Sequence, residues 1–120
     1  MIKHFLGANP KLPMRDSAVT KAFYVQQLGF SMLGDYGDYL LFQRENVEIH
    51  FFLHKTLIPH ENYGQVYIRV REIELLYEDF QQRGIEIHPN APLQRKPWGQ
   101  IEFSILDPDL NLITFGETVE

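Results

Sequence analysis

SAVTKAFYVQQLGF (residues 17–30) and EIELLYEDFQQRGI (residues 72–85) are two versions of one pattern. In the first, Ala18, Ala22, Tyr24 or Val25, and Leu28 fall near one helical face, and Gly29 stops the helix. Asp16 or Ser17 is suited to cap its start, because a short side-chain oxygen accepts from a helix amide that has no other partner. In the second, Ile73, Leu76, Tyr77 and Phe80 repeat at helical spacing and Gly84 ends the run. The endings correspond, Gln26-Gln27-Leu28-Gly29-Phe30 against Gln81-Gln82-Arg83-Gly84-Ile85. A short strand-like stretch precedes each helix, at residues 9–14 and 65–70. An internal repeat explains this most economically.

Working outward, β-branched and aromatic runs follow each helix. They predict strands at residues 30–33, 39–43 and 47–53, then at 85–88, 101–106 and 112–115. Residues 34–38, 44–46 and 107–109 are turn signals, and residues 54–63 and 89–97 read as loops. The fold class is therefore α+β, with two βαβββ modules at residues 1–56 and 62–120 in a single domain of 120 residues. A four-stranded sheet with a helix on one face leaves the other face open. Two modules must therefore bring their open faces together or meet another chain.

Composition narrows the chemistry. Absence of cysteine removes disulfides and thiolate sites. A formal net charge of -5 argues against nucleic acid as a partner and favours cationic ligands. No apolar run reaches the roughly 18 residues a membrane span needs, and no secretory leader is evident, so a cytoplasmic, membrane-free protein is expected. Nucleophile elbow, phosphate loop and His-Glu-x-x-His are all missing from the sequence.

Strand alternation selects the side chains able to line an open face. Within residues 47–53, Glu48, His50 and Phe52 oppose Val47, Ile49, Phe51 and Leu53. By the same rule Gln65, Tyr67 and Arg69 oppose Val66, Ile68 and Val70, while Glu102 and Ser104 oppose Phe103 and Ile105. The pair Glu48 and His50 offers a metal ligand set or a proton relay, although histidines on half-buried strands are more often simply hydrogen-bonded. His4, His54, His60 and His88 read as surface residues.

Leu12-Pro13-Met14-Arg15-Asp16, Ala22-Phe23-Tyr24 and Leu28-Gly29-Phe30, with Pro97-Trp98-Gly99-Gln100-Ile101-Glu102-Phe103 and Asp107-Pro108-Asp109 before Asn111, resemble the vicinal oxygen chelate superfamily. The bleomycin-resistance branch is the most similar, and the resemblance runs from about Asn9 to Gly116. It implies a homodimer that sequesters a bleomycin-like, planar and cationic drug in interface grooves without catalysis, giving antibiotic resistance. Trp98 corresponds to the residue that stacks on the drug, and Tyr36, Tyr39 and Phe42 are candidates for the opposing wall. Asp35, Asp38, Glu48, Glu61 and Glu102 are candidate sources of negative potential. Pro10 matches a proline associated with exchange of the N-terminal strand between protomers. Leu110 departs from the family glycine, so Asn111 is expected to take the left-handed position. Superfamily enzymes hold a divalent metal at positions that align with Asn9, Glu48, Gln65 and Thr114, of which only Glu48 is a good ligand. No metal or cofactor is therefore expected. The alternatives are a metal-dependent lyase, isomerase or dioxygenase built on Glu48 and His50, or a binder of another small metabolite.

Overall fold

The computed structural model describes residues 1–119, so Glu120, the last residue of the expected second module, lies outside them. The first module consists of β1 (Lys11–Met14), α1 (Ser17–Lys21), β2 (Ser31–Asp35), β3 (Tyr39–Arg44) and β4 (Val47–Leu53). The second consists of β5 (Gln65–Arg69), α2 (Ile73–Gln82), β6 (Gln94–Lys96), β7 (Gln100–Leu106) and β8 (Leu112–Thr118). Their sheets have matching orders, β1-β4-β3-β2 and β5-β8-β7-β6. In each, the strand before the helix runs parallel to the last strand, and the other pairs are antiparallel.

Asp16 caps α1, its Oδ1 accepting from the amides of Ala18 and Val19. The helix then widens into π-turns over Ala22–Gln27. This changes the buried face from the one 3.6-residue spacing predicts. Thr20, Tyr24 and Leu28, four apart, point inward, and Ala18, Ala22 and Val25 are exposed. Helix α2 keeps the predicted face, with Ile73 and Phe80 buried and Leu76 and Tyr77 half-buried. Gly29 and Gly84 end the two helical stretches at φ 75° and 76°.

The start of α2 is capped from a distance. Glu72 has left-handed backbone (φ 54°) and no capping side chain of its own. The Glu117 carboxylate on β8 instead accepts from the amides of Glu72 and Ile73, at 3.0 and 3.1 Å. Glu117→Ala is expected to lower unfolding free energy by about 1 kcal/mol, as loss of a capping oxygen does, read as a shifted urea midpoint at unchanged slope.

Two strand expectations are corrected. Residues 85–88 form no strand: Ile85 and Ile87 pack against the core from irregular chain, and the contact with β7 is local, through His88 N to Ser104 O. The edge strand β6 lies at Gln94–Lys96, inside a stretch that reads as loop. Residues 1–9 also lie outside β1, and Ile2, Phe5 and Leu6 of that arm are exposed.

The helix-side faces of both sheets share one core, from Met14, Tyr24, Leu40, Phe42 and Phe51 to Phe80, Phe103, Ile105 and Phe115. Tyr24 packs against Phe30, Phe42 and Phe51, and Phe103 against Tyr77, Phe80 and Phe115. A buried polar knot ties the modules together. Asp107 Oδ2 accepts from Tyr24 Oη (2.7 Å) and Asn111 Nδ2 (2.8 Å), and its Oδ1 from the amides of Asp109 and Asn111. Asn111 Nδ2 also donates to Pro13 O, and Arg15 Nε meets Asp109 at 2.7 Å.

Leu110 itself takes the left-handed conformation in this turn (φ 64°), which corrects the assignment of that role to Asn111. Asn111 is held by the knot and is not free to turn. Leu110→Gly is expected to stabilise the protein by roughly 0.5–1 kcal/mol, the left-handed penalty of a side chain less the entropy glycine adds to the unfolded chain, measurable by denaturant titration.

Candidate functional site: two open sheet faces

The open faces, those away from the helices, carry two side-chain clusters. On the second sheet, Glu102 stands on β7 and is only 9% exposed. Its Oε2 accepts from Trp98 Nε1 (2.9 Å) and from Tyr67 Oη (2.8 Å). Tyr67 also reaches Gln100 Oε1 at 3.2 Å, and the Arg69 guanidinium lies 5.6 Å from the Tyr67 ring centre. Trp98 is 64% exposed, so the indole is fixed along its Nε1 edge while its surface stays largely open. Ser104 and Thr114 exchange a hydroxyl hydrogen bond at 2.9 Å beside this cluster.

On the first sheet, His50 bridges two partners. Its Nδ1 lies 2.8 Å from Tyr39 Oη and its Nε2 2.6 Å from Glu48 Oε2. The Lys11 ammonium sits 5.5 Å from the Tyr39 ring centre, and Phe52, opposite Tyr39 in the β3–β4 ladder, is exposed.

Two expected wall residues fall elsewhere. Phe42 is a core residue, fully buried against Tyr24 and Phe51 on the helix side, because it is three positions from Tyr39 and so faces the other way. Tyr36 is exposed at the β2–β3 hairpin, its ring over Gly34, and joins neither cluster. Of the acidic candidates, Asp35 pairs with Lys21 at 2.6 Å, and that hydrogen bond holds its carboxyl below the usual range. Asp38 and Glu61 lie in connecting segments, which leaves Glu48 and Glu102 on the open faces.

Several contributors went unpredicted: Lys11, Gln100, Gly116 and Thr118. Gly116 had a visible signal, as a glycine inside a strand marks close approach. A Cβ there would overlap the Tyr67 hydroxyl, so the bare backbone lets Tyr67 lie across β8 to Glu102. Partial desolvation of the phenol, and then the Glu102 carboxylate, push the Tyr67 pKa up. Gly116→Ala is expected to expel the ring and bring one tyrosine down to the ordinary value near 10, visible in an ultraviolet pH titration.

The residues at the superfamily's metal positions do not suit a divalent ion. Leu12 opposes Phe51 as Ile68 opposes Phe115, so His50, rather than Glu48, corresponds to Thr114. The donor set becomes Asn9, His50, Gln65 and Thr114: two amides, a hydroxyl bonded to Ser104, and an imidazole with both nitrogens engaged. Neutral amides and a hydroxyl hold such ions weakly. Among the described residues, no three His, Asp or Glu side chains gather around one point.

Paired βαβββ modules with open polar and aromatic faces define the vicinal oxygen chelate class. A family model described as Glyoxalase-like domain matches residues 8–120, and the chain belongs to that family. It is 30% identical over 111 residues to a bleomycin resistance protein of Klebsiella pneumoniae, covering 88% of this chain and 87% of the relative. Its fold matches the crystal structure of a bleomycin resistance determinant encoded on the transposon Tn5 (TM-score 0.84, 28% identity, 95% of this chain and 98% of that one). It also matches a bleomycin-binding protein complexed with bleomycin (TM-score 0.83, 28% identity, 95% and 99%).

A cleft of about 800 Å³ runs between the β3–β4 turn and α2 and is lined by Arg44, Val47, Ile68, Arg69 and Leu76 among others. Trp98, Glu102 and His50 are not part of it. On the open faces Phe52, Tyr67 and Leu106 are exposed. No helix among the described residues is long and apolar enough to cross a membrane.

Proposed function

We propose that the protein sequesters bleomycin or a similar planar, cationic compound without transforming it, and so protects the cytoplasm in which it resides. The observation that carries this reading is Trp98, an exposed indole held by its edge to a buried carboxylate. A flat heteroaromatic ligand stacked on that indole gains on the order of 1 kcal/mol beyond burial. The relatives reported above bear names that point to the same ligand.

The two modules, residues 1–56 and 62–120, leave both open faces bare. A homodimer closes them, each groove taking one face from each protomer, with two equal sites by two-fold symmetry. The apolar arm at residues 1–9, leaving the domain at Pro10, is suited to exchange between protomers. Phe52, Tyr39, Glu48 and His50 then face Trp98, Tyr67, Arg69, Glu102 and Ser104 across the groove.

Titrating the single tryptophan's emission with bleomycin tests the ligand, and sedimentation tests the dimer. Saturable quenching with one ligand per protomer is expected. No quenching and no calorimetric heat at micromolar bleomycin would remove this ligand. The metalloenzyme alternative rests on the Glu48–His50 contact at 2.6 Å. A stoichiometric zinc, iron or manganese ion in protein purified without chelators would favour it.

A further inference from the structure

We propose that Glu102 is the anchoring anion of the groove, taking an amidinium or ammonium that the ligand carries just beyond the edge of the ring stacked on Trp98. This rests on the binding function proposed above and specifies its ligand chemistry.

Three observations carry it. First, Glu102 is a buried carboxylate without a cation. Its hydrogen bonds come from an indole and a phenol, both neutral, and no ion pair to it occurs among the described residues. Two basic side chains of the same sheet have other partners. Arg69 Nη1 donates to Thr118 Oγ1 at 2.6 Å, and Lys96 Nζ to Gln94 Oε1 at 3.4 Å. A charge withdrawn from water this far is costly unless a countercharge arrives.

Second, both donors converge on Oε2, and Oε1 accepts from no side chain or amide among the described residues. Oε1 is also not sealed from solvent, since among the described residues the only sealed side-chain polar atom lacking a partner is Thr20 Oγ1. Oε1 therefore keeps lone pairs that no donor among the described residues takes.

Third, the carboxylate is placed by the ring. Because Trp98 Nε1 is the donor, Oε2 lies 2.9 Å from the pyrrole edge of the indole. A flat ligand on the indole face must project its cation past its own edge to reach the acid. Planar amidinium suits this best, since its N–H groups match a carboxylate in direction as well as charge.

The test uses benzamidine and benzamide, equal in shape and different in charge, titrated against Trp98 emission in the intact protein. Benzamidine is expected to bind at least about tenfold more tightly, the range of a charge-assisted hydrogen bond. Glu102→Gln, which keeps an oxygen for Trp98 and Tyr67, is expected to bring the two affinities together. Equal affinities in the unaltered protein, no benzamidine binding at millimolar concentration, or a preference that survives in Glu102→Gln would each overturn the proposal. Should Glu102→Gln not fold, the two affinities in the unaltered protein decide alone.

Bleomycin titrated in parallel separates the two readings. Protein that prefers benzamidine yet ignores bleomycin keeps the role of Glu102 and loses the antibiotic. Protein that binds bleomycin without that preference does the reverse.

Discussion

Asp107→Ala is expected to cost about 3–5 kcal/mol, the range found when one member of a buried charged network is removed. The loss follows from what the carboxylate serves. Tyr24 Oη, Asn111 Nδ2 and the amides of Asp109 and Asn111 all donate to it, and all four are buried. Each donor left without a partner costs roughly 1–3 kcal/mol, less whatever an entering water restores. Because Tyr24 belongs to α1's extension and Asn111 holds Pro13 O, the variant also loosens one module from the other. Urea unfolding followed by far-ultraviolet circular dichroism measures it. A change below about 1 kcal/mol would show that the knot contributes little.

The same residue sets a pH dependence. Burial pushes the Asp107 carboxyl up from its ordinary value near 3.8, against the hydrogen bonds from Asn111 and Tyr24 that lower it. A raised folded value means the native state holds this proton more tightly than the unfolded chain does. Its contribution to stability is then full below the unfolded pKa and lost as pH rises through the folded one. Asp107→Asn keeps an oxygen for the two amides and cannot titrate. The stability difference between the original protein and this variant is expected to shrink from pH 3 upward until Asp107 is ionised, then to stay level. A difference that grows with pH would reverse the sign assigned to burial.

Much of this architecture can be read from local rules, and the exceptions have physical causes. Helix ends at Gly29 and Gly84 and the full extent of β4 follow from glycine's conformational range and strand alternation. Edge strand β6 has no apolar face to betray it: Gln94 and Arg95 are exposed and Lys96 half-buried. Ile85 and Ile87 carry the apolar alternation of a strand because they pack on the core, yet packing does not require a ladder. On α1 the π-turns rotate the buried stripe, a backbone choice that single-residue propensities do not encode.

For the site, alternation identified Glu48, His50, Tyr67 and Glu102 as open-face residues and, applied to β3, would have separated Tyr39 from Phe42. What it could not supply was pairing across strands. That Trp98 and Tyr67, 31 positions apart, meet on one carboxylate depends on the β5–β8–β7 register and on the bare backbone at Gly116.

Trp98→Ala is expected to weaken bleomycin binding by roughly 30- to 1000-fold, the 2–4 kcal/mol typical of an aromatic anchor at tenfold per 1.4 kcal/mol. The indole makes two separable contributions, a face on which a planar group stacks and an N–H that fixes Glu102 at its edge. Trp98→Phe keeps a face and discards the donor, so an intermediate loss is expected, near tenfold, with the benzamidine preference reduced more than the affinity for neutral rings. Stability should change little in either variant, about 1 kcal/mol or less, because the ring is largely exposed and Glu102 retains Tyr67. Isothermal calorimetry serves here, since the variants lack the fluorophore. If the alanine variant binds bleomycin as the original does, the drug lies elsewhere, and the open face of the second sheet is not its platform.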